Sequence, residues 1–149
     1  MAEILFLAHR APWPPDRGDR IRSWHLLKAL TQLAPVHLAA FTDTDDDAAA
    51  AQPQCAAITE STYLERRSAS QLGAALKTLP FLRPLSLGLF GSAAMQSHVD
   101  GLLERHPITH IVAFSCQMAQ FVPSDFAGRF IMDFVDVDSA KFSAYAAQD

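Results

Sequence analysis

Glycine is scarce in this chain, six in 149 residues, and only Gly18 falls between the first apolar run and the first helical pattern. No G-x-G-x-x-G occurs there, and no glycine-lysine-serine/threonine comes after it, which excludes a dinucleotide fingerprint and a P-loop. Cysteine is scarcer still. Cys55 and Cys116 form neither a CxxC nor a metal-ligating spacing, and both sit in apolar surroundings. They read as buried free thiols of a reducing cytoplasm, and no metal site is marked. No apolar stretch approaches the ~20 residues of a membrane span. The N-terminus lacks a basic region and a cleavage site, so no signal peptide is expected. With a formal charge of -4, nothing global attracts nucleic acid, and any anion site must be local.

What is present fits one soluble α/β domain with a full core: half the residues are hydrophobic and 19% are charged. Glu3–Ala8 is a continuous apolar run, as in a strand buried on both faces. Ile21, Trp24, Leu27, Leu30 and Leu33 recur at helical spacing and predict a helix over 19–33. Residues 35–41 read as a second strand. The "TDTDDD" stretch caps a short alanine-rich helix, and "CAAIT" (55–59) reads as a weaker third strand. A helix is expected over 68–78. Ser92 caps another running to Arg105, residues 108–114 form a fourth strand, 117–121 a short helix and 129–135 a fifth strand. Strands alternating with helices at this pace indicate a doubly wound, mainly parallel, Rossmann-like sheet.

In such sheets ligands bind where strand C-termini meet helix N-termini. Three segments converge there: "APWPPDRGDRIRSW" (11–24) after strand one, Ser115–Gln117 after strand four, and Asp136–Ser139 after strand five. Four of the nine arginines, Arg10, Arg17, Arg20 and Arg22, fall within thirteen residues. The prolines stiffen the loop, Gly18 permits close approach, and a helix start favours negative charge. Arg17, Arg20 and Arg22 either neutralise a phosphate or face water. His9 ends strand one at the cleft edge, where it either contacts a ligand or packs. Asp136 and Asp138 either bind ligand hydroxyls or cap and solvate a loop. Cys116 reads as structural, with no histidine-bearing motif beside it.

"ILFLAHRAPWPPDRGDRIRSWHLLKAL" resembles the start of a retaining GT-B glycosyltransferase of the GT4 type. It is most similar there to sugar transferases associated with exosortase (PEP-CTERM) systems. "FSCQMAQFV" and "DFVDVDSAKFSAYA" resemble later segments of the same group, so the likeness spans nearly all of the chain. The resemblance implies the N-terminal, acceptor-side domain of an enzyme that moves sugar from a nucleotide-sugar to a glycan or lipid-linked acceptor in exopolysaccharide or surface-glycan assembly. It implies no bound cofactor or metal, the nucleotide-sugar being a substrate, and a second, donor-binding domain absent from these residues. Such a fragment is expected to be inactive alone.

Gly18 matches the family's loop glycine near the donor phosphates. Many relatives carry a second glycine where this chain has Asp19, which favours helix capping by Asp19. The histidine many GT4 enzymes carry after the fourth strand is replaced by Ser115, Cys116 and Gln117, so Ser115 and Gln117 stand as acceptor-side candidates and no catalytic residue is assigned. Residues 79–95 are apolar but broken by Pro80, Pro84, Gly88 and Gly91. They either complete the core or make a peripheral contact with the inner face of a membrane.

Two rivals stand beside this reading. One is a non-catalytic Rossmann-like sugar- or nucleotide-binding module. The other is a receiver domain with clustered aspartates, which His9 and Arg10 after the first strand argue against.

Overall fold

The computed structural model describes residues 1–67 and 91–135. The expected helix over 68–78, most of the broken apolar stretch, and Asp136 and Asp138 lie outside the described residues. Five strands form one sheet: β1 (Glu3–Ala8), β2 (Val36–Thr42), β3 (Ser61–Arg66), β4 (Ile108–Phe114) and β5 (Arg129–Asp133). Their order is β3-β2-β1-β4-β5, and every neighbouring pair is parallel. The chain winds outward from β1 to β3, then returns to β4 on the other side of β1. This is a Rossmann-like α/β arrangement.

Alternation along β1 explains why both faces are covered, since successive side chains point to opposite sides. Leu5 and Leu7 pack with Ala39, Phe41 and residues Met95, Val99 and Leu102 of helix α3 (Ala93–Arg105). Ile4, Phe6 and Ala8 pack with Leu38, Ala40, Leu27 of α1 (Gly18–Thr31) and Cys55 of α2 (Asp45–Ala56). Each fully buried Leu or Phe contributes roughly 1.5–3 kcal/mol. Burial pushes the Cys55 thiol up to about 12, so it stays an inert thiol in this core.

Two expectations are corrected. The third strand is not at 55–59: Cys55 and Ala56 end α2, which runs through Pro53, and β3 lies at Ser61–Arg66. An edge strand whose side chains are only half-buried carries no apolar run, so β3 gave no sequence signal. The inward stripe of α1 is also displaced. Arg20, Ser23 and Leu27 are buried, whereas Ile21 is 43% and Leu33 77% exposed. Arg20 is drawn inside because its guanidinium reaches Asp16 (3.4 Å) and Asp47 (3.6 Å) at once. Paired on two sides, the charge avoids most of the penalty of burial. Two capping expectations hold geometrically: Thr44 accepts from the Asp47 N–H and Ser92 from the Met95 N–H.

Candidate functional site

The strand order reverses between β1 and β4, the place where open α/β sheets bind ligands. A cavity of about 270 Å³ opens there, at the C-terminal ends of those strands. His9, Arg10 and Asp19 line it from the β1 side, and Ser115, Cys116 and Gln117 from the β4 side. Phe134 and Val135, just past β5, complete the wall. Ligand pockets are commonly about 300–1,000 Å³. This one suits a single small polar group, such as one sugar ring or one phosphate, rather than a whole nucleotide-sugar.

His9 is fixed by β1 against β4. Its ring stacks on Phe114 at 5.8 Å and 15°, and Nδ1 lies 3.3 Å from the Phe114 carbonyl. Burial pushes the imidazole below the usual histidine range, with the Phe114 carbonyl partly offsetting it. The other ring nitrogen, Nε2, lies 3.6 Å from Asp19 Oδ2. Arg10 donates to the same Asp19 oxygen at 3.3 Å, and its Nε lies 3.3 Å from Asp43 Oδ2. Burial pushes the Asp19 carboxyl up. Hydrogen bonds from Arg10 and the Arg20 backbone N–H outweigh this and hold it below the ordinary aspartate range.

The opposite wall begins with Ser115, buried at φ 86° and ψ 140°. An L-residue with a side chain rarely adopts this region, which stores about 1–3 kcal/mol and occurs where surroundings over-determine the backbone. Those surroundings are visible: the Ser115 N–H donates to the Asp133 carbonyl at 2.8 Å, and its carbonyl accepts from Met118 at 3.1 Å. The turn starts the 3₁₀ helix Cys116–Phe121 immediately and points Gln117 at the cavity. Gln117 Oε1 is buried without a hydrogen-bond partner. It belongs to a cavity-lining residue, and buried polar atoms left open in this way are uncommon.

The structure brings His9, Ser115 and Gln117 to the cavity, with Arg10, Asp19 and Cys116, which sequence reasoning had not assigned as ligand contacts. It does not bring Arg17, Arg20 or Arg22 to it. Arg17 lies 3.9 Å from Asp43, Arg20 is locked between Asp16 and Asp47, and Arg22 pairs with Asp133 at 2.8 Å. Gly18 is the first residue of α1, has no positive φ, and a Cβ there would meet nothing within 4 Å. Arg17, rather than Asp19, holds the N-cap position, without a side-chain cap bond. The signal for Arg10 was its place two residues past an apolar strand, directly at the switch point.

No protein-family model matches the chain, and no curated protein matches it. Among solved structures, the chain is similar to the C-terminal domain of a hydrogenase from Pyrococcus furiosus. The TM-score is 0.52 and the identity 12%, over 89% of this chain and 91% of that one. At that identity the likeness concerns the α/β fold alone. Among the described residues, no helix is long and apolar enough to cross a membrane.

Proposed function

We propose that this domain is the acceptor-side, N-terminal part of a retaining GT-B glycosyltransferase, holding a hydroxyl-rich glycan at the β1/β4 switch point. The observation that carries the reading is the make-up of the cavity wall. Arg10 is already neutralised by Asp19 and Asp43, which disfavours a phosphate as occupant. A carboxylate, an imidazole, a guanidinium edge and an unsatisfied amide oxygen together match sugar hydroxyls, each of which both donates and accepts. The nucleotide-sugar then belongs to a second domain facing this edge. Transfer rests on positioning the acceptor and on stabilising the departing diphosphate from that other side.

The test is sugar transfer by a two-domain chain that joins these residues to a donor-binding domain, assayed with a panel of nucleotide-sugars and soluble or lipid-linked glycan acceptors. Turnover is expected there, and none by the 149 residues alone. Asp19→Asn and Gln117→Leu should each raise the acceptor KM ~10-fold, about 1.4 kcal/mol apiece. A folded two-domain chain without transfer removes the enzymatic reading. Glycan binding by the isolated domain in that case supports the second reading, a non-catalytic sugar-binding module.

A further inference from the structure

At the other end of the sheet, where the strands begin, a row of polar side chains crosses four neighbouring strands. In sheet order it runs Ser61 at the start of β3, His37 near the start of β2, Glu3 at the start of β1, and His106 just before β4. His37 is fully buried, a placement its type rarely takes without partners at both ring nitrogens. Nδ1 lies 2.7 Å from Ser61 Oγ and Nε2 lies 2.7 Å from Glu3 Oε2. His106 brings its own Nδ1 to 3.1 Å from the same Glu3 oxygen. The two imidazoles lie 4.2 Å apart, centroid to centroid. One ligand atom from each of Glu3, His37 and His106 falls within 4.8 Å of the others.

We propose that Glu3, His37 and His106 form a binding site for one borderline divalent cation, Zn²⁺ by class, which staples the N-terminal edge of the sheet. The donor set is the first argument. Two imidazoles and one carboxylate suit zinc and its first-row neighbours, whereas calcium and magnesium require mostly oxygen ligands. Geometry is the second. Ligand atoms about 2.0–2.1 Å from zinc in a tetrahedron stand roughly 3.3 Å from one another. The observed 2.7 and 3.1 Å separations therefore open by about 0.6 and 0.2 Å to admit the ion, and the two imidazole nitrogens, within 4.8 Å of each other, settle to the same spacing.

The outer contacts provide the third argument. Ser61 holds His37 by Nδ1, the ring atom that does not face the site, as the partners of metal-bound imidazoles do. Access is asymmetric. His37 is closed off, while His106 is 34% exposed and Glu3 16%, so the ion enters from the His106 side and a water takes the fourth position. Without the ion, the His37 Nε2–H donates to Glu3 and Ser61 donates to Nδ1. Binding therefore moves the His37 proton from Nε2 to Nδ1, with no net loss from the neutral ring, and the Nδ1–H then donates to the Ser61 oxygen.

Such an ion would bind residues far apart in sequence and would not take part in chemistry at the opposite cavity. Sequence spacing cannot mark it, because the ligands stand at positions 3, 37 and 106 and only the parallel sheet brings their strands together.

The test uses the 149-residue chain free of any histidine tag, titrated with Zn²⁺ against a chromogenic chelator and melted with and without the ion. One zinc per chain is expected. At zinc a hundredfold above its Kd, the melting temperature should rise by roughly 5 °C or more. Co²⁺ in its place should show the visible absorption of a four- or five-coordinate N/O site. His106→Ala, on the exposed side, should fold and weaken zinc ~100-fold, and Ser61→Ala should weaken it ~10-fold. His25→Ala, an exposed histidine of α1, should change neither measurement. Absence of a thermal shift in the parent chain, or zinc held as tightly by folded His106→Ala as by the parent, overturns the site. Loss of zinc in His106→Ala with retention in His25→Ala upholds it.

Discussion

Strand β1 carries a titratable residue at each end, and the two ends behave oppositely. At its start, Glu3 meets His37 and His106, with every contact short and His37 bonded at both nitrogens. Past its end, His9 faces a cavity in which Gln117 Oε1 has no partner and Ser115 is held at a positive φ. One end has satisfied its polar groups; the other keeps strain and open hydrogen-bonding capacity. In a parallel sheet that difference arises from where helices begin. The C-terminal edge gathers loops and helix starts, and stability given up there is available to a ligand.

The contrast is sharpest in substitutions at the two ends. His37→Ala, melted in chelator, should lose about 3 kcal/mol or more, because it leaves a void and strips partners from Glu3 and Ser61. A urea midpoint close to the parent value would show the closed end contributes little. Ser115→Gly should act in the other direction. Relief of about 1–3 kcal/mol of strain, reduced by the flexibility glycine adds to the unfolded chain, predicts a net gain of roughly 1 kcal/mol. Destabilisation by that change would mean the Ser115 side chain, rather than its backbone, matters to the fold.

Acid should act in two pH ranges, on histidines first and on carboxylates below them. His9 and His98 have folded pKa values below the unfolded one, through burial, so the unfolded chain takes up their protons first. Their contribution is complete above ~6.5 and is lost as pH falls through the folded values. Glu3 and Asp19, also depressed, contribute above ~4 and lose that contribution lower down. Melting temperature against pH should therefore decline in two steps, and His9→Gln should shrink the upper one. The smallest effect is expected from Gln117→Leu. Removing an amide oxygen that has no partner should leave the urea midpoint within ~0.5 kcal/mol of the parent while weakening ligand binding.

Much of this framework could be read from the chain alone. β1 is a nearly unbroken apolar run, β4 ends in one at Ile111–Phe114, and Ser92 precedes a helix it caps, so their limits coincide with expectation. β3 escaped because an edge strand needs no apolar run, and α2 runs on through Pro53 into residues that were expected to form that strand. The arginine cluster lies at the edge of the sheet where the cavity opens, but of its members only Arg10 lines that cavity. Arg20 and Arg22 are taken by Asp47 and Asp133, acids 27 and 111 positions away, and no spacing rule anticipates such partners. Asp19, read as a cap, instead sits between His9 and Arg10, a role that depends on how the loop folds back over β1.

The central pairing of β1 with β4 also fixes an order of events during synthesis. His9 meets the Phe114 carbonyl across 105 positions of chain, while β1 meets β2 over a far shorter loop. Closing the longer loop is entropically harder and comes later. The cavity, lined by residues that follow both β1 and β4, cannot exist until β4 has emerged. Occupancy of that cavity would then favour the last docking step over its reversal, which makes the ligand a brake on premature reopening as well as a passenger.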